Sequence, residues 1–149
     1  MNSNQTIHAS AVLVGAKAVL IRGASGAGKS RLAFDLILAA AQGVLPFARL
    51  IGDDRVHVEA QAGRLLVRPA PELAGFIEIR GLGIRHLAFE PVAAVRLVVD
   101  LGADAARYPG PEAGKTAIDG VSLARLGVAL GQQALPILLA CLRTTPSFD

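Results

Sequence analysis

Aromatic residues and cysteines are scarce in this chain. Of its 149 residues none is tryptophan, one is tyrosine and five are phenylalanine, so aromatic residues make up 4% of the sequence. Proteins that bind single-stranded nucleic acids stack the bases on aromatic rings, and few rings are available here. The single cysteine, Cys141, excludes an internal disulfide and a cysteine-rich zinc site, and it indicates a reducing compartment.

An excess of charge and a long hydrophobic run are also missing. The 15 lysines and arginines outnumber the 12 aspartates and glutamates by only three, and they are scattered, so nucleic acid is not an expected partner. The most apolar stretches, residues 11–21 and 32–41, are interrupted by Lys17 and Asp35 and are shorter than the roughly 20 residues that a bilayer core requires. Residues 1–10 lack the basic cluster of a secretory signal. We therefore expect a cytoplasmic protein without a membrane partner.

Length and hydrophobic patterning predict a single α/β domain over residues 1–149. Residues 10–14 and 17–21 are β-prone and flank Gly15, which predicts a hairpin. Leucine and alanine then recur at helical spacing, which predicts a helix from residue 29 to 42 that is closed by Gly43. The other predicted elements are a strand at 47–51, a hairpin of 56–58 with 65–67, strands at 76–80 and 92–99, a loop from Asp100 to Pro111, and a helix at 132–143 despite Pro136. A hairpin beside buried strands favours a mixed sheet.

A glycine-rich segment between the first hairpin and the helix carries the strongest functional signal. Residues 23–30 fit the pattern G-x-x-x-x-G-K-[ST] in full. The glycines allow backbone N–H groups to turn toward an anion, Lys29 can neutralise phosphate oxygens, and Ser30 can bind Mg²⁺. The pattern predicts a site for a nucleotide or another phosphate. The candidate binding residues are Gly23, Ala24, Ser25, Gly26, Ala27, Gly28, Lys29 and Ser30.

Two adjacent aspartates, Asp53 and Asp54, follow the strand predicted at 47–51. A carboxylate at this position suits Mg²⁺ beside a bound nucleotide. The two side chains of adjacent residues at a strand end diverge, so one can hold the metal while the other accepts a proton from an alcohol. The sequence does not assign the two roles, and a simple Asp-Asp surface turn is the alternative.

Glu78 and Arg80 lie on one face of the strand predicted at 76–80, and Gly81 and Gly83 follow them closely enough for a ligand to approach the backbone. A solvated strand face has the same pattern, so this signal is weak on its own. His8, near the start of the chain, and Arg107, before a Tyr-Pro pair, are by themselves typical of surface residues.

Taken together, these segments resemble HPr kinase/phosphorylase, a bacterial family that phosphorylates a seryl residue of the phosphocarrier HPr and can reverse the step with phosphate. The resemblance is carried by His8, the loop at 23–30, the segment Asp53-Asp54-Arg55-Val56 and the stretch FIEIRGLGI at 76–84, and it extends to about Gly127. It implies the catalytic domain of the family. The implied fold is a P-loop, phosphoenolpyruvate-carboxykinase-like mixed sheet with flanking helices.

The resemblance also implies ATP and Mg²⁺ as cofactors, and it gives each candidate residue a role. By this resemblance the catalytic residues are His8, Lys29, Asp53, Asp54 and Arg107, the metal ligands are Ser30 and Glu78, and Arg80, Gly81 and Gly83 complete the active-site stretch. The aspartate pair would do the acid/base work on the seryl hydroxyl with His8 beside it, and Arg107 would act on the transferring phosphoryl group.

The chain departs from the family pattern at three places. Seven residues precede His8, as expected of a short form that lacks the family's N-terminal domain. Arg31 stands where the family has an acidic residue, and Gly131-Gln132-Gln133 stands where it has a Pro-Gly-Arg loop associated with the phosphorylase reaction. Phosphorylase activity and the size of the expected homo-oligomer are therefore left open.

Three functions are compatible with these residues. The first is a serine kinase that acts on HPr or its nitrogen-branch relative, with phosphorylase activity as an open addition. The second is a P-loop small-molecule kinase or ATPase, which needs only the glycine-rich loop and one aspartate. The third is a non-catalytic module that senses nucleotide. Transfer to a folded protein that depends on its target serine distinguishes the first from the other two.

Overall fold

The structure, a computed structural model, describes residues 5–103 and 110–145. Within these ranges the chain forms strands, two α-helices and two short 3₁₀ turns, at Pro71–Leu73 and Pro111–Gly114. The strands are β1 Gln5–Ile7, β2 Ala9–Val14, β3 Lys17–Arg22, β4 Ala48–Gly52, β5 Val56–Gln61, β6 Arg64–Pro69, β7 Phe76–Ile79, β8 Gly83–His86, β9 Ala93–Leu101, β10 Lys115–Ile118 and β11 Val121–Val128. The helices are α1 Lys29–Ala41 and α2 Ala134–Arg143. None of the helices described is long and apolar enough to cross a membrane.

Nine of these strands form one mixed sheet, with β9 near its centre. The order along the sheet is β1-β5-β6-β9-β3-β2-β4, and β11 and β10 branch from β9. Along one edge, β9 pairs in parallel with β3. Along its other edge, the first two residues of β9 pair with β6, and its last five residues pair in parallel with β11. The sheet therefore divides at β9, and β7 and β8 form a separate antiparallel hairpin.

Both faces of the central strands are buried. One face packs against α1 and α2 around Val19, Ile21, Leu36 and Leu138. The opposite face packs around Leu20, Val58, Leu65 and Val98. Because the two faces of β2 and β3 are both covered, their sequences are almost continuously apolar instead of alternating.

Each predicted strand and helix is present, with ends that differ by no more than three residues. The mixed sheet is confirmed. Pro136 is compatible with α2 because it is the third helical residue, within the first turn, where backbone N–H groups have no partner inside the helix. The strands β1, β8, β10 and β11 were not predicted. The loop expected from Asp100 to Pro111 starts later than predicted, since β9 continues to Leu101, and its residues 104–109 lie outside the described ranges.

The two faces of α1 allow a direct test of its packing. Leu36 is fully buried and Leu38 is 43% exposed, although they lie on the same helix. We expect Leu36→Ala to lower the free energy of unfolding by about 3 kcal/mol, because it leaves a cavity in the core. We expect Leu38→Ala to change it by about 0.5 kcal/mol or less. Urea unfolding followed by circular dichroism measures both, and equal losses would contradict the packing described here.

Candidate active site

The glycine-rich loop connects the end of β3 to the start of α1. Gly28, the residue before the helix, has a φ of 103°, in the left-handed region that residues with a Cβ atom rarely adopt. Its carbonyl accepts the hydrogen bond from the Leu32 N–H at 3.0 Å, which begins the helical pattern. The positive end of the α1 dipole therefore faces the loop, as anion binding at a helix N-terminus requires.

Lys29 folds back against this loop. Its side chain is buried to a degree unusual for lysine, with 9% of the residue exposed. The ammonium donates hydrogen bonds to the carbonyl oxygens of Gly23 at 2.8 Å and Ala24 at 3.2 Å. Hydrogen bonds to ionised oxygens are stronger than bonds to neutral carbonyls, so a phosphate in the loop would compete well for this ammonium.

Asp53 is the point at which four segments of the chain meet. The residue is 4% exposed. Its carboxylate accepts hydrogen bonds from the Ser10 hydroxyl at 2.6 Å, from the Ser30 hydroxyl at 2.7 and 2.9 Å, and from the Glu78 backbone N–H at 3.0 Å. These donors belong to β2, α1 and β7, and Asp53 follows β4. A buried carboxylate needs such donors in place of water, so the network fixes Asp53 beside the glycine-rich loop.

Asp54 has a different environment. It is exposed, and its φ of 68° turns the chain sharply after Asp53. The Arg55 N–H donates to the Asp53 carbonyl at 2.7 Å across this turn. The structure therefore places one aspartate inside the hydrogen-bond network and its neighbour in solvent.

The β7–β8 hairpin brings the third predicted segment to the same place. Glu78 reaches Asp53 through its backbone N–H, while the residue itself is exposed. Arg80, Gly81 and Gly83 form the exposed end of the hairpin. This end includes a turn in which the Leu82 N–H donates to the Ile79 carbonyl at 2.9 Å.

The two remaining predicted residues are not joined to this network. His8 is exposed between β1 and β2, two residues before Ser10, and no hydrogen bond links it to the aspartates in the part of the chain that is described. Arg107 lies outside the described residues.

Sequence reasoning missed Ser10 as a site residue. It has no exposed surface, and it lies in the apolar strand β2. A hydroxyl group inside such a strand needs a hydrogen-bond partner, and this requirement was the available signal.

A charged cluster adjoins the glycine-rich loop on the side of β9 and was also missed. Arg22, the last residue of β3, donates from Nε at 2.7 Å and from Nη2 at 2.8 Å to the two carboxylate oxygens of Asp100. Arg125 on β11 donates to the same carboxylate from its Nε. Burial raises the pKa of Asp100, but the hydrogen bonds and charges of the two arginines outweigh burial and hold that pKa below its ordinary value. The cluster holds Arg22, the residue immediately before the loop, in place.

The oxygen groups at Ser30 suit a magnesium ion bound with a nucleotide. The Ser30 hydroxyl and the Asp53 carboxylate lie within hydrogen-bond distance of each other. Residues 5–103 and 110–145 contain no cluster of three or more His, Cys, Asp or Glu side chains that would hold a metal without a ligand. Mg²⁺ in nucleotide sites takes one or two protein oxygens and completes its shell with phosphates and water. The residues present therefore fit Mg²⁺ that arrives with a nucleotide.

Comparisons with known proteins identify the family. The family model of the HPr Serine kinase C-terminal domain matches residues 1–90. HPr kinase/phosphorylase from Chloroherpeton thalassium is 33% identical over 140 residues, which cover 89% of this chain and 38% of that protein. The protein of the same name from Limosilactobacillus reuteri is 41% identical over 81 residues, which cover 54% of this chain and 23% of the relative. The chain belongs to the HPr kinase C-terminal domain family, and it spans less than two fifths of the length of these relatives.

A solved structure agrees with the fold. The Hpr(Ser) kinase/phosphatase from Coxiella burnetii superposes with a TM-score of 0.73 and 23% sequence identity, and the match covers 93% of this chain and 94% of that one. The predicted α/β class is confirmed in this form: a curled mixed sheet with two helices in the described part of the chain.

The Asp100 cluster predicts a specific acid dependence of stability. Because the pKa of Asp100 is lower in the folded chain, its contribution to stability is complete above the unfolded pKa, about 4, and is lost as the pH falls through the folded value. We expect Asp100→Asn to lower the free energy of unfolding at pH 7 by about 1–2 kcal/mol. The difference from the wild type should shrink below about pH 4.

Urea unfolding at several pH values measures this difference. The control is Glu59→Gln, which weakens a single contact to Arg68 at 2.8 Å on the hairpin of β5 and β6. It should have a smaller effect at pH 7. A difference for Asp100→Asn that stays constant from pH 7 to pH 3 would contradict the assignment.

Proposed function

We propose that this chain is the catalytic domain of an ATP- and Mg²⁺-dependent serine kinase whose acceptor is HPr or its nitrogen-branch relative. One observation carries the proposal: the Ser30 hydroxyl of the glycine-rich loop donates to the buried carboxylate of Asp53. The proposed phosphate loop and the proposed acid/base group thus lie within one hydrogen bond of each other. Membership of the HPr kinase family supports the choice of acceptor.

The proposal treats the loop at 23–30 as a P-loop and the fold as phosphoenolpyruvate-carboxykinase-like. Backbone N–H groups of the loop and the N-terminus of α1 would hold the phosphates of ATP. Lys29 would exchange its two carbonyl acceptors for phosphate oxygens. Ser30 and, by the family resemblance, the Glu78 carboxylate would hold Mg²⁺ carried by the nucleotide, and that ion would neutralise phosphate charge.

Asp53 is the better placed of the two aspartates to accept the proton of the seryl hydroxyl. The Ser30 hydroxyl lies within hydrogen-bond distance of both carboxylate oxygens of Asp53. If Ser30 turns toward the metal, lone pairs on Asp53 become free to accept a proton beside the transferring phosphoryl group. The hydrogen bonds from Ser10 and the Glu78 N–H would keep the carboxylate oriented. The hydroxyl proton then passes to Asp53 as the seryl oxygen bonds to phosphorus and the bond to ADP breaks. Asp54, exposed at the same turn, is assigned to the approaching acceptor.

The remaining roles come from the family resemblance and belong to the same proposal. His8 would act beside the aspartates, Arg107 on the transferring phosphoryl group, and Arg80, Gly81 and Gly83 at the rim of the site. A cytoplasmic location and a homo-oligomer are also part of it. Reverse phosphorolysis remains an open addition to the proposal; it would use the same groups in the opposite direction, with Asp53 returning the proton.

The decisive experiment measures phosphate transfer from ATP to the proposed acceptor protein. We expect purified protein with Mg²⁺-ATP to add one phosphate to HPr from the same cell, as read by intact mass. HPr with its target serine changed to alanine should gain none. The Lys29→Ala variant should lose both transfer and ATP affinity by calorimetry, because Lys29 contacts phosphate in the ground state and in the transition state.

Each other outcome of this experiment points to a different function. ATP hydrolysis or transfer to a small alcohol without transfer to HPr would favour the small-molecule kinase or ATPase. ATP binding without any turnover would favour a nucleotide-sensing module. Added phosphate that releases HPr from its phosphorylated form would establish the reverse reaction.

The two aspartates should differ when each is changed alone. We expect Asp53→Asn to lower kcat by about a hundredfold or more, because it removes the proton acceptor, while the variant keeps measurable ATP affinity. Asp54→Asn should lower kcat much less. Steady-state kinetics with HPr and calorimetry with Mg²⁺-ATP separate the effects. Full transfer by Asp53→Asn would overturn its assignment as the base.

A further inference from the structure

The end of the β7–β8 hairpin carries two large apolar side chains that are left uncovered. Leu82 is 64% exposed and Ile84 is 63% exposed. Ile77, on the neighbouring strand, is 1% exposed and belongs to the core that packs on α1. The hairpin is therefore anchored through one face and presents its other face to solvent.

The hairpin holds these side chains on a defined support. Its turn is closed by the hydrogen bond from the Leu82 N–H to the Ile79 carbonyl, with Gly81 at a φ of 89°, as a type II turn requires at its third residue. At the open end the rings of Phe76 and His86 meet edge to face, with centroids 4.3 Å apart. Surfaces held in place in this way lose little conformational entropy when a partner binds.

The register of the hairpin places Ile84 beside the proposed phosphoryl-transfer site. Ile84 pairs directly with Glu78, so the two side chains lie on the same face of the hairpin, with Cβ atoms about 5 Å apart. The backbone N–H of the same Glu78 is bonded to the Asp53 carboxylate. A folded protein that delivers a hydroxyl to Asp53 therefore comes close to Ile84.

We infer that Leu82 and Ile84 form the docking surface for the acceptor protein, which covers them with an apolar patch beside its target serine. The inference rests on the proposed function and names the surface that selects a protein acceptor. A small alcohol would reach Asp53 without covering Leu82 and Ile84, whereas a folded protein is too wide to do so. Docking on this surface would thus favour a protein over a small molecule.

Kinetics with the full chain test this inference. We expect the double variant Leu82→Ser/Ile84→Ser to raise the KM for HPr roughly tenfold or more, because two apolar side chains no longer become buried on binding. Its kcat should stay within about twofold of the wild-type value, since neither side chain contacts the reacting atoms. Its affinity for Mg²⁺-ATP should be unchanged, and Leu82→Met/Ile84→Val should restore the KM.

The control variant is Leu38→Ser, which also removes an exposed leucine. Leu38 is 43% exposed and lies nine residues along α1 from Lys29, about 13 Å away along the helix. It should leave the KM for HPr unchanged. If the double variant fails to fold, Leu82→Ser and Ile84→Ser are measured singly, each with an expected increase in KM of about threefold.

The outcomes separate the docking surface from the proposed function. No transfer by the wild-type protein would reject the kinase proposal itself and, with it, the docking surface. Transfer with a KM that is unchanged in the double variant, or raised equally by Leu38→Ser, would overturn the docking surface alone. A change in oligomeric size with the double variant, measured by light scattering, would show that a second copy of the chain covers Leu82 and Ile84 instead, which also overturns it.

Discussion

The buried carboxylate of Asp53 is the constraint on which the rest of the site depends. A charge removed from water is tolerated only when donors surround it, and each donor here comes from a different segment. Ser10 is 43 residues away in the sequence, Ser30 is 23 and Glu78 is 25. The strand that precedes Asp53, the first helix and the separate hairpin are thus tied to one side chain. The site exists only when these segments have reached their final positions.

The second charged cluster complements this arrangement from the other side of the loop. Arg22 ends the strand that enters the loop, and Asp100 ends the neighbouring parallel strand. At the end of the loop, Asp53 holds Ser30 by a hydrogen bond. At the start of the loop, Asp100 holds Arg22 in the same way. Between these two attachments the loop retains the backbone freedom that its glycines provide, which a phosphate-binding segment needs if its N–H groups are to converge on a ligand.

The sequence predicted those elements whose pattern is long and regular. The helix at 29–41 and the strands of the first hairpin have strong apolar periodicity and clear glycine boundaries, and they were found nearly to the residue. β1 has three residues, and β8 has an entirely exposed pattern, so neither carries the alternation from which strands are predicted. β10 and β11 mix buried and exposed residues, and the Asp119-Gly120 turn between them is a hairpin signal that was overlooked. Only the pairing of β11 with β9 joins segments that are distant in the sequence.

The candidate site shows the same division. The loop at 23–30 and the aspartate pair follow from motif and spacing, because phosphate binding restricts both residue type and order. Ser10 and Asp100 were missed because their importance lies in partners 25 to 78 residues away, which no local pattern reveals. The sequence also did not predict which of the two aspartates is buried. That depends on the turn after Asp53 and on the β7–β8 hairpin, which packs against Asp53 from a distant part of the sequence.

The central position of β9 bears on how the protein is made. Residues 1–90 contain the glycine-rich loop, both aspartates and the β7–β8 hairpin, and they match the family model, yet they end before the strand that pairs with β3. During synthesis on the ribosome, the edge of β3 that pairs with β9 therefore stays unpaired until residues 93–101 emerge. An unpaired apolar edge is a template for association with other chains. Residues 93–101 thus shield the part that carries the candidate chemistry, and a product truncated before them would be expected to aggregate before it could bind a nucleotide.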